Sequence, residues 1–99
     1  MIAMTILYPQ TDDSTFDMGY YTSSHMPMVA ESIGDACQGW GAVSINNGKW
    51  SAMGWVIVES QEQLDAAMGE HGAKIMGDIP NYTNTQPELI VGEVAGGSQ

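Results

Sequence analysis

The chain has 99 residues and a mass of 10.6 kDa, which leaves room for one domain. Twelve acidic residues against two lysines and no arginine give a net charge of −10 at pH 7, which works against binding to nucleic acids or anionic lipids. With 43% apolar and only 14% charged residues, the composition is that of a globular protein rather than a disordered one.

Three further features indicate the compartment. No stretch approaches the roughly 18 apolar residues of a membrane span. The N-terminus carries no basic residue ahead of its short apolar run, so it does not resemble a signal peptide. Cys37 is the single cysteine and cannot form an internal disulfide. We therefore expect a cytoplasmic protein that binds neither nucleic acid nor membrane.

The first third of the chain predicts a strand followed by a helix. Residues 2–8 are mostly apolar and end at Pro9, as a strand would. Asp17 is typical of a helix N-cap. After it, side chains suited to an inner face recur at helical spacing: Met18, Tyr21, His25, Met28 and Val29. Pro27 lacks a backbone N–H, so we expect two helical pieces that meet at residues 25–27, with Met26 outside the α region.

The remainder predicts a hairpin, a second helix and a last strand. Residues 40–45 and 50–59 favour two strands, and the Asn-Gly pair between them favours a tight turn. Ser60 begins a capping box, and Gly77 is expected just past the end of the helix. The inner face of that helix is expected to carry Leu64, Ala67, Met68, His71 and Ile75. Residues 89–94 predict the last strand.

The order β-α-β-β-α-β is that of the ferredoxin-like α+β fold, a four-stranded antiparallel sheet with two helices on one face. We expect this domain to span residues 1–95, with residues 96–99 as a flexible C-terminal tail. The strand at residues 50–59 is apolar on both of its faces. Two helices cover only one face of a sheet, so we predict that a second copy covers the other and that the protein is a homodimer.

Topology also predicts where a site would form. The end of the first strand at Tyr8, the helix start at Asp17 and the loop at residues 78–83 fall at one end of the sheet. His25 lies about 12 Å along the first helix on its inner face. We predict a pocket between this helix and the sheet, bounded by Tyr8, Tyr21, His25 and Asp78. His25 would serve there as acid or base, although a histidine that only fills core space explains the pattern equally well.

The sequence lacks the common cofactor and metal signatures. We find no phosphate-binding glycine loop, no dinucleotide fingerprint and no Cys/His cluster, so we expect no cofactor and no metal. Haem held by a histidine is a further hypothesis, against which the absence of arginine to meet the propionates argues.

Two halves of the chain resemble the EthD family, which is named for an ethyl tert-butyl ether degradation system. The first half matches at Tyr8-Pro9, Phe16-Asp17-Met18-Gly19-Tyr20-Tyr21 and His25-Met26-Pro27-Met28-Val29. The second half matches at residues 75–83, from Ile75 to Thr83, and at Gln86-Pro87. The similarity runs over about residues 4–94. It implies a dimeric α+β barrel and the reductase or oxidoreductase label that family members carry.

These observations lead to two hypotheses of function. The first is a cofactor-independent oxidoreductase, or a related proton-transfer enzyme, that acts on a small apolar organic molecule in a degradative or secondary-metabolic pathway. The second is a non-catalytic accessory protein that binds such a molecule in the same pocket. For the first, His25 and Asp78 are the candidate catalytic residues. The candidate substrate-binding residues are Tyr8, Tyr21, Met18 and Thr83.

Overall fold

Four strands form one antiparallel sheet in the order β2-β3-β1-β4. The computed structural model describes residues 1–97. Its strands are β1 (Ile2–Pro9), β2 (Cys37–Ser44), β3 (Trp50–Val58) and β4 (Glu88–Glu93). Two helical segments of the chain alternate with them, so the predicted ferredoxin-like α+β arrangement is confirmed. Residues 98–99 of the predicted tail lie outside the described residues.

The first helical segment has three parts: α1 (Met18–Tyr20), a π-helical turn (Tyr21–His25) and α2 (Met26–Ile33). The predicted N-cap is confirmed, since Asp17 Oδ1 accepts the N–H of Tyr20 at 3.0 Å. Phe16 packs against Tyr21 with ring centroids 5.0 Å apart, which fixes the entry of the chain into the helix.

The helix changes register just before Pro27, where the sequence predicts a break. The prediction that Met26 leaves the α region is wrong, because its φ and ψ are −65° and −39°. Its N–H donates to the carbonyl of Tyr21, one residue further back than in an α-helix. This π-helical turn places Pro27 in the first turn of α2, the part of a helix that best tolerates a residue without an N–H.

The second helical segment, α3 (Gln61–Asp78), begins as predicted, with Ser60 Oγ accepting the N–H of Gln63 at 3.2 Å. Its end differs from the prediction. Gly77 lies inside the helix and not among the residues with positive φ. The chain then tightens directly into a 3-10 turn (Ile79–Asn81) that contains Pro80, so the proline rather than Gly77 ends the helix.

The hairpin between β2 and β3 is confirmed, but residues 45–49 form a loop that is longer than the predicted tight turn at the Asn-Gly pair. Positive φ angles occur at Asn46 (53°) and Gly48 (88°). The side chain of Asn47 accepts the backbone N–H groups of Lys49 and Trp50 at 3.0 and 2.8 Å. The loop therefore satisfies its own backbone donors and brings β2 and β3 side by side.

The sheet has one buried and one open face. The helices cover the even-numbered side chains of β1, from Ile2 to Tyr8, together with Ala52, Val56 and Val58 of β3. On the other face the intervening side chains of β1 and β3 remain partly exposed. There the Trp55 ring lies over Gly41, in space that a Cβ at Gly41 would occupy. Among the described helices, none has both the length and the hydropathy to cross a bilayer.

Candidate active site

His25 and Asp78 form a hydrogen-bonded pair at one end of the sheet. His25 is the last residue of the π-helical turn and only 3% exposed, while Asp78 is the last residue of α3. Nδ1 of His25 lies 2.8 Å from Oδ2 of Asp78. The structure thus places the two candidate catalytic residues, 53 positions apart in the chain, in direct contact.

The hydrogen bonding continues from the other ring nitrogen of His25. Nε2 lies 3.2 Å from the hydroxyl of Tyr82, and that hydroxyl lies 2.7 Å from the hydroxyl of Tyr8 on β1. Tyr8, His25 and Tyr82 are all buried. We call the chain of Asp78, His25, Tyr82 and Tyr8 the relay, because it links four side chains through three hydrogen bonds.

Asp78 accepts two more hydrogen bonds through its other oxygen. Oδ1 receives the Tyr20 hydroxyl at 2.7 Å and the side-chain amide of Asn81 at 2.9 Å. Burial acts to raise the pKa of Asp78, but the hydrogen bonds from Asn81, His25 and Tyr20 outweigh burial and lower that pKa below its usual 3.8. Asp78 is therefore a carboxylate at neutral pH.

His25 is correspondingly neutral. Burial lowers its pKa below the usual 6.5, outweighing the opposing effect of Asp78. Because a carboxylate only accepts, the proton of the neutral ring lies on Nδ1 and Nε2 accepts from Tyr82. Tyr8 in turn donates to Tyr82. The hydroxyls of Tyr8 and Tyr82 therefore donate in sequence toward Nε2 of His25, which is the acceptor at the end of this chain.

The buried tyrosines of the site are protonated. Burial is the largest cause that raises the pKa of Tyr8, Tyr21 and Tyr82 above the usual 10. Tyr21 stacks on the imidazole of His25, with centroids 5.6 Å apart and planes inclined by 14°. Within residues 1–97 its buried hydroxyl has no hydrogen-bond partner. Tyr21 therefore packs against the relay without being part of it.

A small apolar cavity of about 30 Å³, enough for one water molecule, adjoins the relay. Tyr8 and His25 contribute to its wall, and the rest is apolar, from β1, α2, α3, the 3-10 turn, Pro87 and β4. Apolar atoms alone face this space. Tyr21 and Asp78 lie outside its wall, so the cavity sits mainly under α3 rather than under the first helical segment.

The other predicted substrate-binding residues lie in a separate, open cleft. Met18 and Thr83 line a space of about 520 Å³ between the start of α1 and residues 80–84. Asp17 is also there, as the helix cap. The hydroxyl of Thr83 donates to the carbonyl of Thr15 at 2.7 Å, which ties the two walls together. Tyr82 lines this cleft and joins it to the relay.

Sequence reasoning missed three residues of the site: Tyr20, Asn81 and Tyr82. All three lie within motifs that resemble the EthD family, and Asn81 and Tyr82 fall in the loop predicted to line the mouth. Helical spacing points Tyr20 away from the inner face, and no periodicity governs a 3-10 turn. Across residues 1–97, no three His, Cys, Asp or Glu side chains are grouped as metal ligands.

Comparison with known proteins identifies the family. The structure matches a crystal structure of an EthD-like protein from Ralstonia eutropha JMP134 with a TM-score of 0.85 and 38% sequence identity. The match covers 96% of this chain and 92% of that one. The chain belongs to the EthD family.

A second solved structure agrees in fold with this EthD-family chain. It is an ethyl tert-butyl ether degradation (EthD) family protein from Bacillus halodurans C-125, with a TM-score of 0.70 and 20% identity over 95% of this chain and 98% of that one. No family profile matches the sequence of this EthD-family chain, and no curated protein matches it either.

Proposed function

We propose that this EthD-family protein is a cofactor-independent enzyme that removes a proton from a small, largely apolar organic molecule. The observation that carries the proposal is the relay itself, which joins a carboxylate to a neutral imidazole. Two of its members, Tyr8 and His25, also form part of the wall of the apolar cavity. A neutral imidazole held by a carboxylate is the arrangement that general-base catalysis uses.

In this proposal the proton leaves a C–H or O–H bond of the substrate, and its electron pair remains on the substrate. Tyr8 receives the proton as it passes its own to Tyr82, and Tyr82 passes its own to Nε2 of His25. Asp78 stabilises the imidazolium that forms. Tyr8 then donates a hydrogen bond to the charge that develops on the substrate. An oxidoreductase reaction would begin with the same deprotonation, after which dioxygen, as the oxidant, would accept electrons from the substrate anion.

Access for the substrate would come through the side of the cavity. Met76 and Leu89 belong to its wall and are 44% and 46% exposed. Met68, in the same wall, is also an unbranched and adaptable side chain. Movement of these side chains would enlarge the cavity toward the Tyr8 hydroxyl, which faces the relay in the structure and which the substrate must reach for the proposed proton transfer.

The apolar wall favours a second candidate function, that of a non-catalytic accessory protein. The polar atoms of His25 and Tyr8 face the relay rather than the cavity. A ligand held by apolar contacts alone would need no proton transfer. Both functions fit a degradative or secondary-metabolic pathway in the cytoplasm.

The proposed active form is a homodimer of stacked sheets. The open face carries Leu7, Met53, Trp55 and Ile57, all partly exposed. Val43 of β2, paired with Met53, is 43% exposed. A second copy, packed with its own open face on this one, would remove these side chains from water.

The test begins with a ligand, identified by mass spectrometry of co-purified material or by thermal-shift screening. His25→Gln is then compared with the wild type, and His71→Gln serves as a matched control, because the His71 side chain on α3 is 36% exposed and takes no part in the relay. We expect His25→Gln to keep binding and to lose turnover by about a hundred- to ten-thousand-fold. Binding by every variant without turnover by the wild type would favour the accessory protein. Unchanged turnover in His25→Gln would overturn the proposal.

A further inference from the structure

The two oxygens of Asp78 have separate partners. Oδ2 is bonded to His25, whereas Oδ1 takes both Tyr20 and Asn81. The Asn81 amide also approaches the Tyr20 hydroxyl at 3.4 Å, so these two donors form one cluster on a single oxygen. Because Oδ1 is occupied twice, the carboxylate keeps Oδ2 directed at the imidazole.

This cluster faces away from the cavity. Tyr20, Asn81 and Asp78 line an outer groove of about 330 Å³ together with Ser24 and Lys74. Neither Tyr20 nor Asn81 belongs to the cavity wall described above. Any influence of these two residues on a ligand in the cavity therefore passes through Asp78.

The protonation state of Asp78 determines the direction of the whole relay. As a carboxylate it accepts from Nδ1 of His25, which leaves Nε2 free to accept. As a carboxylic acid it would donate to Nδ1 instead and move the ring proton to Nε2. Nε2 would then donate to Tyr82, and the site would begin its cycle as an acid rather than a base.

We infer that Tyr20 and Asn81 are positioning residues that hold Asp78 as a carboxylate with Oδ2 toward His25, and thereby set the tautomer of His25. Several titratable groups surround this pair: Tyr8 from β1, Tyr21 from the π-helical turn, Tyr82 from the loop and Lys74 from α3. The catalytic meaning of the inference rests on the proposed function, but the tautomer itself does not.

The experiment observes the ring nitrogens of His25 by ¹⁵N NMR near pH 7.5. The signals that disappear in His25→Gln belong to His25, and those that remain belong to His71. In the wild type we expect protonated Nδ1 and unprotonated Nε2. Tyr20→Phe removes only a hydroxyl, and the double variant Tyr20→Phe/Asn81→Ala empties Oδ1 of both donors. We expect loss of the Nδ1–H signal in part for the single variant and further for the double variant, because a carboxylate without donors on Oδ1 is free to rotate Oδ2 away from Nδ1 of His25. Ser24→Ala, in the same groove, should keep the wild-type spectrum.

A ¹³C titration of the Asp78 carboxyl provides the second measurement. We expect the pKa of Asp78 to rise in Tyr20→Phe and to rise further in the double variant, because hydrogen bonds to the charged form are lost. An unchanged tautomer and titration in a folded double variant would overturn the inference, as would protonated Nε2 in the wild type. If the double variant does not fold, Tyr20→Phe alone decides. Because neither measurement requires turnover, the inference would survive failure of the proposed reaction.

Discussion

The hydroxyl of Tyr21 lies against Gly54 of β3, in the space that a side chain at position 54 would take. Gly54 sits on the covered face of the sheet, opposite Ile6 of β1. A glycine here lets a tyrosine of the first helical segment reach the backbone of the sheet and stack on His25. The packing of the relay thus depends on a residue that has no side chain.

We expect Gly54→Ala to destabilise the protein by about 1–3 kcal/mol, because the added methyl group would overlap the Tyr21 ring in a packed core. Equilibrium unfolding in urea measures the loss. Gly92→Ala is the matched control, since Gly92 also lies in a strand and nothing occupies the place of its Cβ within 4 Å. Equal stability of the two variants would contradict this packing.

Stability should fall as the pH falls below about 6.5. The pKa of His25 is lowered in the folded protein. As the pH falls, His25 therefore binds a proton in the unfolded chain before it does so in the folded protein, and this stabilises the unfolded chain relative to the folded one. The contribution of His25 is therefore complete above 6.5 and is lost toward its lower folded pKa. Asp78, with its pKa below 3.8, adds a second loss in stronger acid.

Urea unfolding between about pH 3 and pH 8 measures this dependence, because His25 and Asp78 titrate within that range in the unfolded chain. His25→Gln should flatten the slope just below pH 6.5 and keep the loss in stronger acid. His71→Gln should keep both. A wild-type stability that rises on acidification from pH 7 to pH 5 would mean that the folded protein holds His25 as the cation.

The hydrogen bond between Tyr8 and Tyr82 should appear as an energetic coupling. Each single change, Tyr8→Phe or Tyr82→Phe, leaves a buried hydroxyl without this partner, while the double change leaves none. Tyr82→Phe also removes the donor to Nε2 of His25, but this loss is common to the single and the double variant and cancels in the cycle. We expect the unfolding free energies to be non-additive, with a coupling of about 1 kcal/mol. A double-mutant cycle in urea measures it. Additive losses would show that the two hydroxyls do not interact in solution.

We expect a species of twice 10.6 kDa in solution, formed through the open face of the sheet. Trp55→Glu places a charge on that face and should give a monomer. Ala73→Glu, at an exposed position of α3, should leave the dimer intact. Sedimentation velocity at micromolar concentration distinguishes these outcomes, and a wild-type monomer would refute the predicted homodimer.

Much of the candidate site was predicted from topology. Right-handed connections return the chain to the end of the sheet where the first strand stops, which is why Tyr8 and Asp78 could be assigned to one region in advance. The inner-face position of His25 made Asp78 a possible partner, but the hydrogen bond between Nδ1 and Oδ2 is a finding of the structure. Tyr20 was not predicted, because its role depends on a side chain reaching across to α3.

The sequence by itself determined the order of the elements, the face that each presents to the core, the caps at Asp17 and Ser60, and the hairpin at Asn47-Gly48. These features depend on local spacing and on backbone preferences of neighbouring residues, which a linear pattern records. Only the tertiary structure decided that the helix passes Pro27 by a π-helical turn, that Gly77 does not end α3, and that Tyr82 bridges His25 and Tyr8. Each of these depends on contacts between residues far apart in the chain or on hydrogen-bond register within a crowded core, where packing energy outweighs local preference.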